Sequence, residues 1–206
     1  VIYGGLSFYQ RKEIKDVIAY FRLVVNPSDE EALRRIINYP TRGIGNTTIQ
    51  KVIDAARLNN VSLWKVISSP AKYNVSLNKG TITKLSGFVD LIKGFIEQLD
   101  KKDAFVLGMQ IIKESGITAD IFSSTDVEGL SRQENIQEFI NGLQEFVDAR
   151  KEEGEGDSIG LPDFLQQVAL LSDSDSSDDT DNKVSLMTIH ASKGLEFPHV
   201  FLIGME

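Results

Sequence analysis

RKEIKDVIAYFRLVVNPSDEEALRRIINYP (11–40) decides the fold. Its first half sets Ile14, Val17, Ile18, Phe21 and Val25 at the three- and four-residue spacing that lines one face of an α-helix. Asn26-Pro27 closes that run, since proline pushes the residue before it out of the helical region. The second half opens on Ser28 as the expected cap, puts Asp29, Glu30 and Glu31 where a helix N-terminus favours negative charge, and continues through Leu33, Ile36 and Ile37 to a stop before Pro40. Two amphipathic helices in succession predict a helical body.

Reading downstream, Asn46 or Thr47 is placed to cap a third helix carrying Ile49, Val52, Ile53 and Ala56, and Ser62 to cap a short one around Trp64. A long apolar stripe follows at Ile82, Leu85, Val89, Ile92, Phe95, Ile96 and Leu99, then another helix from Ala104 to Lys113 that halts at Ser115-Gly116. Ser131, with Glu134 three residues on, reads as a capping box for a helix through Ile136, Phe139, Ile140, Leu143, Phe146 and Val147. Leu161-Pro162 opens a shorter helix ending near Leu171. Residues 152–157 and the run SDSDSSDDTDN (172–182) are too polar to offset chain entropy by burial and read as loops. Beyond them the pattern changes to VSLMTI and VFLIGM, which is strand-like. The fold class expected is mainly α over residues 1–182, with a short strand-forming segment of different architecture over 183–206.

Composition narrows the function. The chain has 206 residues, no cysteine and two histidines, His190 and His199, which excludes disulfides and thiolate zinc sites and predicts no metal held by this chain. No apolar run is long enough to span a bilayer, and VIYGGLSFYQ (1–10) lacks the organisation of a signal peptide, so a cytoplasmic, non-membrane protein is expected. The net charge of −8 is uneven: residues 1–80 hold 12 Lys/Arg against 6 Asp/Glu, while the remainder holds 10 against 24. An acidic total is therefore compatible with one face that binds phosphates. There is no GxxxxGK[ST], GxSxG or HExxH sequence, so the chain alone is expected to be catalytically inactive.

Two stretches carry chemistry. In Thr41-Arg42-Gly43-Ile44-Gly45-Asn46-Thr47-Thr48, glycines precede a helix N-terminus whose N–H groups suit a phosphate, Arg42 can add charge, and Thr47 and Thr48 offer hydroxyls. A plain helix–turn–helix connection accounts for the same glycines. In Thr188-Ile189-His190-Ala191-Ser192-Lys193-Gly194-Leu195-Glu196, polar residues leave a strand and enter a glycine turn, where His190, Ser192 and Lys193 can meet a nucleic-acid backbone and Glu196 a ribose hydroxyl. Gly4-Gly5 reads as a hinge or turn entering the domain.

The segments YGGLSFYQRKEIKDVIAYFRLVVNPSDEEALRRIINYPTRGIG (3–45), LPDFLQQVALLSDSD (161–175) and VSLMTIHASKGLEFPHVFLIGME (184–206) resemble stretches of the UvrD/PcrA/Rep-type superfamily 1 DNA helicases. The resemblance implies an excised piece of such a helicase. Residues 1–182 would be its helical 2B subdomain, hinged at Tyr3, Gly4 and Gly5, and residues 183–206 the return, through motif V, into the second RecA-like motor domain. It further implies duplex contacts at Arg42, Gly43, Ile44, Gly45 and Thr48, single-strand contacts at Thr188 and His190, and nucleotide contacts at Gly194 and Glu196. The intact parent would use ATP and Mg²⁺ to move 3′ to 5′ along DNA, with duplex carrying a single-stranded tail as its sequence-independent partner. The Walker lysine and the acidic Mg²⁺ motif of that family fall outside this chain. A competing expectation is a protein-interaction domain that docks a repair partner or self-associates, anchored by Phe8, Tyr9 and Trp64.

Overall fold

The fold is given by a computed structural model that describes residues 2–3, 8–154, 159–174, 186–187 and 196–202. At its centre lies α1 (Lys12–Val25), which follows a 3₁₀ turn at Phe8–Gln10. Glu13, Ile14, Asp16, Val17, Ala19, Tyr20, Phe21, Leu23 and Val24 are all buried, so the helix is covered on most of its circumference. A helix enclosed in this way has neighbours on several sides. The apolar stripe predicted from the spacing is only the densest part of a wider buried surface.

The partner helices follow in chain order: α2 (Glu30–Ile36), α3 (Asn46–Asn59), α4 (Leu63–Ser68), α5 (Lys79–Ile96), α6 (Ala104–Glu114), α7 (Ile117–Phe122), α8 (Val127–Glu152) and α9 (Leu161–Ser174). Helices α2, α5, α6, α8 and α9 all pack on α1. The mainly α expectation holds. Below α1 the core is aromatic: Phe164 of α9 meets Phe21, Phe139 and Phe146 edge-on, with ring centroids 6.3, 5.7 and 5.4 Å away. Such edge-to-face pairs add to simple area burial. Gly108 of α6 permits the close approach of α8, since a Cβ there would lie 2.4 Å from Leu143 Cδ2 and 3.0 Å from Phe21 Cζ.

Several helix starts differ from expectation, and in each a better acceptor wins. Asp29, not Ser28, caps α2, its Oδ1 accepting from Ala32 N at 3.0 Å, and Arg22 of α1 locks it from behind at 2.8 Å. The longest helix begins at Val127, not near Ser131, because Asp126 accepts from Gly129 N at 2.6 Å and so starts the helix one turn earlier. Neither Asn46 nor Thr47 caps α3; Gly45 occupies that position with no side chain to offer. Ser62 caps α4 as predicted, accepting from Lys65 N at 3.4 Å. Helix α7 has no forecast in the sequence pattern, since only Ile117 and Ile121 of its six residues are buried.

Among the described residues strand structure is confined to β1 (Ile2–Tyr3) and β2 (Leu186–Met187), paired in parallel with Ile2 opposite Leu186 and Tyr3 opposite Met187. The strand expected at VFLIGM is absent from its described part. Residues 196–202 are irregular and exposed. An extended segment gains its ladder hydrogen bonds only from a neighbour, and the one ladder among the described residues is already taken by β1 and β2. The loops expected at 152–157 and 172–182 lie largely outside the described residues. Glu152 and residues 172–174 end α8 and α9, and Glu153 and Gly154 form the turn that follows α8. No helix among the described residues is long and apolar enough to cross a membrane.

Candidate nucleic-acid interface

The Gly-Ile-Gly turn joins α2 to α3, and long-range contacts shape it. Asn38 reaches into it, its Oδ1 accepting from Arg42 N at 3.0 Å and Ile44 N at 2.9 Å. Gly43 takes a left-handed φ of +70°, a conformation that disfavours any residue with a Cβ. Ile44 is fully buried and pins the turn to the core. Its side chain therefore cannot touch a ligand, and any contact at this position runs through the backbone.

Arg42 departs from the sequence expectation in the same way. Its Nη1 donates to the carbonyls of Tyr39 at 2.7 Å, Pro40 at 3.1 Å and Ile36 at 3.2 Å, and its Nη2 to Tyr20 Oη at 2.6 Å and Ser115 O at 3.0 Å. The guanidinium also stacks over Phe88 and Tyr20, 5.3 and 5.8 Å from the ring centroids. Both terminal nitrogens are committed inward, so the planar fork ties α1, the end of α2, α5 and the α6–α7 junction together instead of reaching solvent. Burial pushes the Tyr20 phenol up to about 12, against the opposing pull of Arg42. The phenol thus stays neutral and donates to Tyr39 O.

What the turn does present outward is main chain. Among the described residues the N–H groups of Asn46 and Thr47 have no hydrogen-bond partner, whereas Thr48 N and Ile49 N bond to Gly45 O at 2.9 and 3.2 Å. Gly43, Gly45, Asn46 and Thr47 are exposed, and Thr48 is half-buried. Nothing lies within 4 Å of a Cβ built on Gly45, so the start of α3 is open. Beside it stands Lys84 of α5, whose Nζ donates to Gly43 O at 3.2 Å. Open helix N–H groups next to a cation form a ready anion site. Lys84, Asn38, Tyr20 and the Ser115 carbonyl were not singled out in the sequence. Asn38 alone lay close enough for a short-range turn argument to find it.

Of the other expected site residues, Tyr3 lies in β1. Gly4, Gly5, Thr188, His190, Ser192 and Gly194 lie outside the described residues. Glu196 is exposed. Among the described residues no group of three or more His, Cys, Asp or Glu is arranged to hold a metal ion. Glu13 and Asp16 are buried structural acids: Glu13 accepts from Asn135 Nδ2, which links it to Arg11, and Asp16 pairs with Arg35 at 2.7 Å. Phe8, Tyr9 and Trp64 are partly buried against the core, which leaves them little area as anchors.

The described residues thus form a helical body that presents the main chain of a glycine-rich turn to solvent beside a lysine. The chain belongs to the UvrD-like helicase C-terminal domain family, whose profile matches residues 1–206. It is 36% identical over 203 residues to the ATP-dependent DNA helicase PcrA of Leuconostoc citreum and, at the same identity, to PcrA of Staphylococcus aureus, in each case covering 98% of this chain and 27% of the relative. It is 34% identical over 205 residues to DNA helicase II of Escherichia coli, covering 28% of that protein. The chain thus spans little more than a quarter of the relatives it matches.

Proposed function

We propose that this chain is part of an ATP-dependent DNA helicase that translocates 3′ to 5′ in the cytoplasm during repair or replication restart. Residues 1–182 would form a 2B-type domain that grips duplex DNA by its backbone and regulates the motor, and residues 183–206 the return into the second motor domain. The observation that carries this reading is the open N-terminus of α3, where the N–H groups of Asn46 and Thr47 have no partner among the described residues and Lys84 is held on the carbonyl of Gly43 in the preceding turn. Contacts from main chain and lysine read phosphates, not bases, so binding is sequence-independent and falls steeply with salt. In this reading Gly43, Gly45, Thr47 and Thr48 form the contact surface, and Arg42 and Ile44 hold it in shape. Thr188, His190 and Ser192 would meet the tracking strand, Gly194 and Glu196 the nucleotide, and Tyr3-Gly4-Gly5 would act as the hinge. The rest of the ATP site, and the groups that hold Mg²⁺, would lie in parts of the parent that this chain does not span.

The test is fluorescence anisotropy of a labelled duplex with a single-stranded tail, titrated with the chain and with Gly45→Asp. An aspartate there meets no steric obstacle and fills the N-cap, so the variant should fold at least as stably while its carboxylate repels phosphate. Salt-sensitive binding lost in Gly45→Asp supports the grip. Equal binding by both proteins overturns it.

A second reading has one observation in its favour. Phe122, Val127 and Leu130, at the α7–α8 junction, are 52%, 85% and 51% exposed and would suit a protein partner such as a repair factor.

A further inference from the structure

We propose that two lysines on separate helices, Lys51 of α3 and Lys84 of α5, supply the charge that meets backbone phosphates at this surface, in the place the sequence pattern assigns to Arg42. The inference rests on the duplex-grip reading and specifies its ligand contacts. Between Glu31 and Asp90 the chain carries nine Lys/Arg and a single acid, Asp54. Arg34 and Arg35 are paired with Glu30 and Asp16, and Arg42 is spent on carbonyls inside the fold. Lys51, Arg57, Lys65, Lys72, Lys79 and Lys84 remain, and none of them forms an ion pair among the described residues.

Two of these six are held in place. Lys84 Nζ donates to Gly43 O at 3.2 Å and Lys51 Nζ to Ser76 O at 3.0 Å, and both residues are exposed. A neutral carbonyl fixes an ammonium without cancelling its charge. Each ammonium has three donors, so two remain free for a phosphate, and part of the entropy cost of ordering a long side chain is already met in the unbound state.

Their placement matches the open helix start. Gly43 makes room for the Lys84 ammonium, since a Cβ there would lie 2.6 Å from Nζ. Lys51 follows Thr47 by four residues and therefore shares its face of α3. Asp54, on the next turn, accepts from Gln50 Nε2 at 2.8 Å and does not pair with Lys51. One ammonium is thus held on the carbonyl of Gly43, three residues before the exposed Asn46, and the other belongs to the helix face that Thr47 begins, so both add to the partial positive charge of the same helix N-terminus.

The experiment measures duplex affinity of the full chain across a salt series for wild type, Lys51→Met, Lys84→Met, the double variant, and, as a control, Lys101→Met, which follows the opposite end of α5 from Lys84. Methionine keeps the apolar stem, and thermal melts establish that each variant is folded. Each phosphate contact contributes about 0.9 to the slope of log affinity against log salt, which corresponds to about 3.5-fold between about 50 and 200 mM salt. Each single variant should lose that much salt sensitivity, the double about 12-fold, and the control none; Lys→Arg at either position should restore it. If both Met variants keep the wild-type slope while Gly45→Asp still abolishes binding, the lysine assignment fails and the turn reading stands. Absence of salt-dependent duplex binding by wild type overturns both.

Discussion

Replacing Arg42 by alanine separates a ligand arginine from a structural one. The side chain is mostly buried and makes five hydrogen bonds, four to main-chain carbonyls and one to the Tyr20 hydroxyl. A net value of about 1.5–3 kcal/mol for each bond to a charged group would sum to roughly 7–15 kcal/mol. That sum overshoots, because Nη1 shares its two hydrogens among three acceptors and water can enter a partly exposed site. Arg42→Ala leaves neutral acceptors behind and no buried charge, and acceptors left unsatisfied cost about 1–3 kcal/mol each where water cannot reach them, so a loss of about 3–5 kcal/mol is expected. In a chain of this size it lowers the thermal midpoint by roughly 10 °C. Urea unfolding followed by circular dichroism measures it. Arg42→Lys should recover less than half the loss, since an ammonium cannot span carbonyls on α2 and at the α6–α7 junction together. A stability within about 0.5 kcal/mol of wild type, accompanied by a shallower salt slope for DNA, would refute the reasoning and return Arg42 to the surface.

Further predictions concern the core and the acid limb of stability. Gly108→Ala should cost about 1–2 kcal/mol despite alanine's better helix propensity, because the new methyl overlaps Leu143; Gly108→Ala combined with Leu143→Ala should lose less than the two single changes added together, which denaturation of the four proteins would show. Asp29 is raised by burial but held on balance below its ordinary value of 3.8 by the Ala32 N–H and by Arg22. A depressed folded pKa gives stability that is fully present above the unfolded value and is lost as pH falls through the folded one. The urea midpoint should therefore drop below about pH 4 in wild type and less steeply in Asp29→Asn; parallel curves would remove Asp29 from the account.

The helices were legible wherever burial followed a period. Val17, Phe21, Leu85, Ile92, Phe139 and Leu143 sit at helical spacing and are buried, and the mainly α fold followed from them. Caps were less legible, because Ser28 and Ser131 are acceptable acceptors in isolation and lose only to Asp29 and Asp126 once the neighbouring turns are built. The glycine turn could be located from sequence. The direction of its arginine could not, since that is set by Tyr20, Phe88 and Ser115, residues far away along the chain. An arginine beside two glycines looks the same whether it points at a phosphate or at carbonyls of its own fold. Lys84 was invisible for the converse reason, as its approach to Gly43 depends on how α5 lies across the turn.

The pairing of β1 with β2 has an architectural consequence. The two strands run parallel, and parallel neighbours cannot be joined by a tight turn; they require a crossover of a dozen residues or more. Everything between Tyr3 and Leu186 is topologically that crossover, grown to the size of a domain. An engineer wishing to excise the helical body while keeping the two strand ends in register would have to leave a linker of roughly 10–12 residues, where two would serve an antiparallel pair. The same geometry means that a different domain could be grafted in its place if its chain enters beyond Tyr3 and returns ahead of Leu186, at opposite ends of the paired strands and running in the same direction.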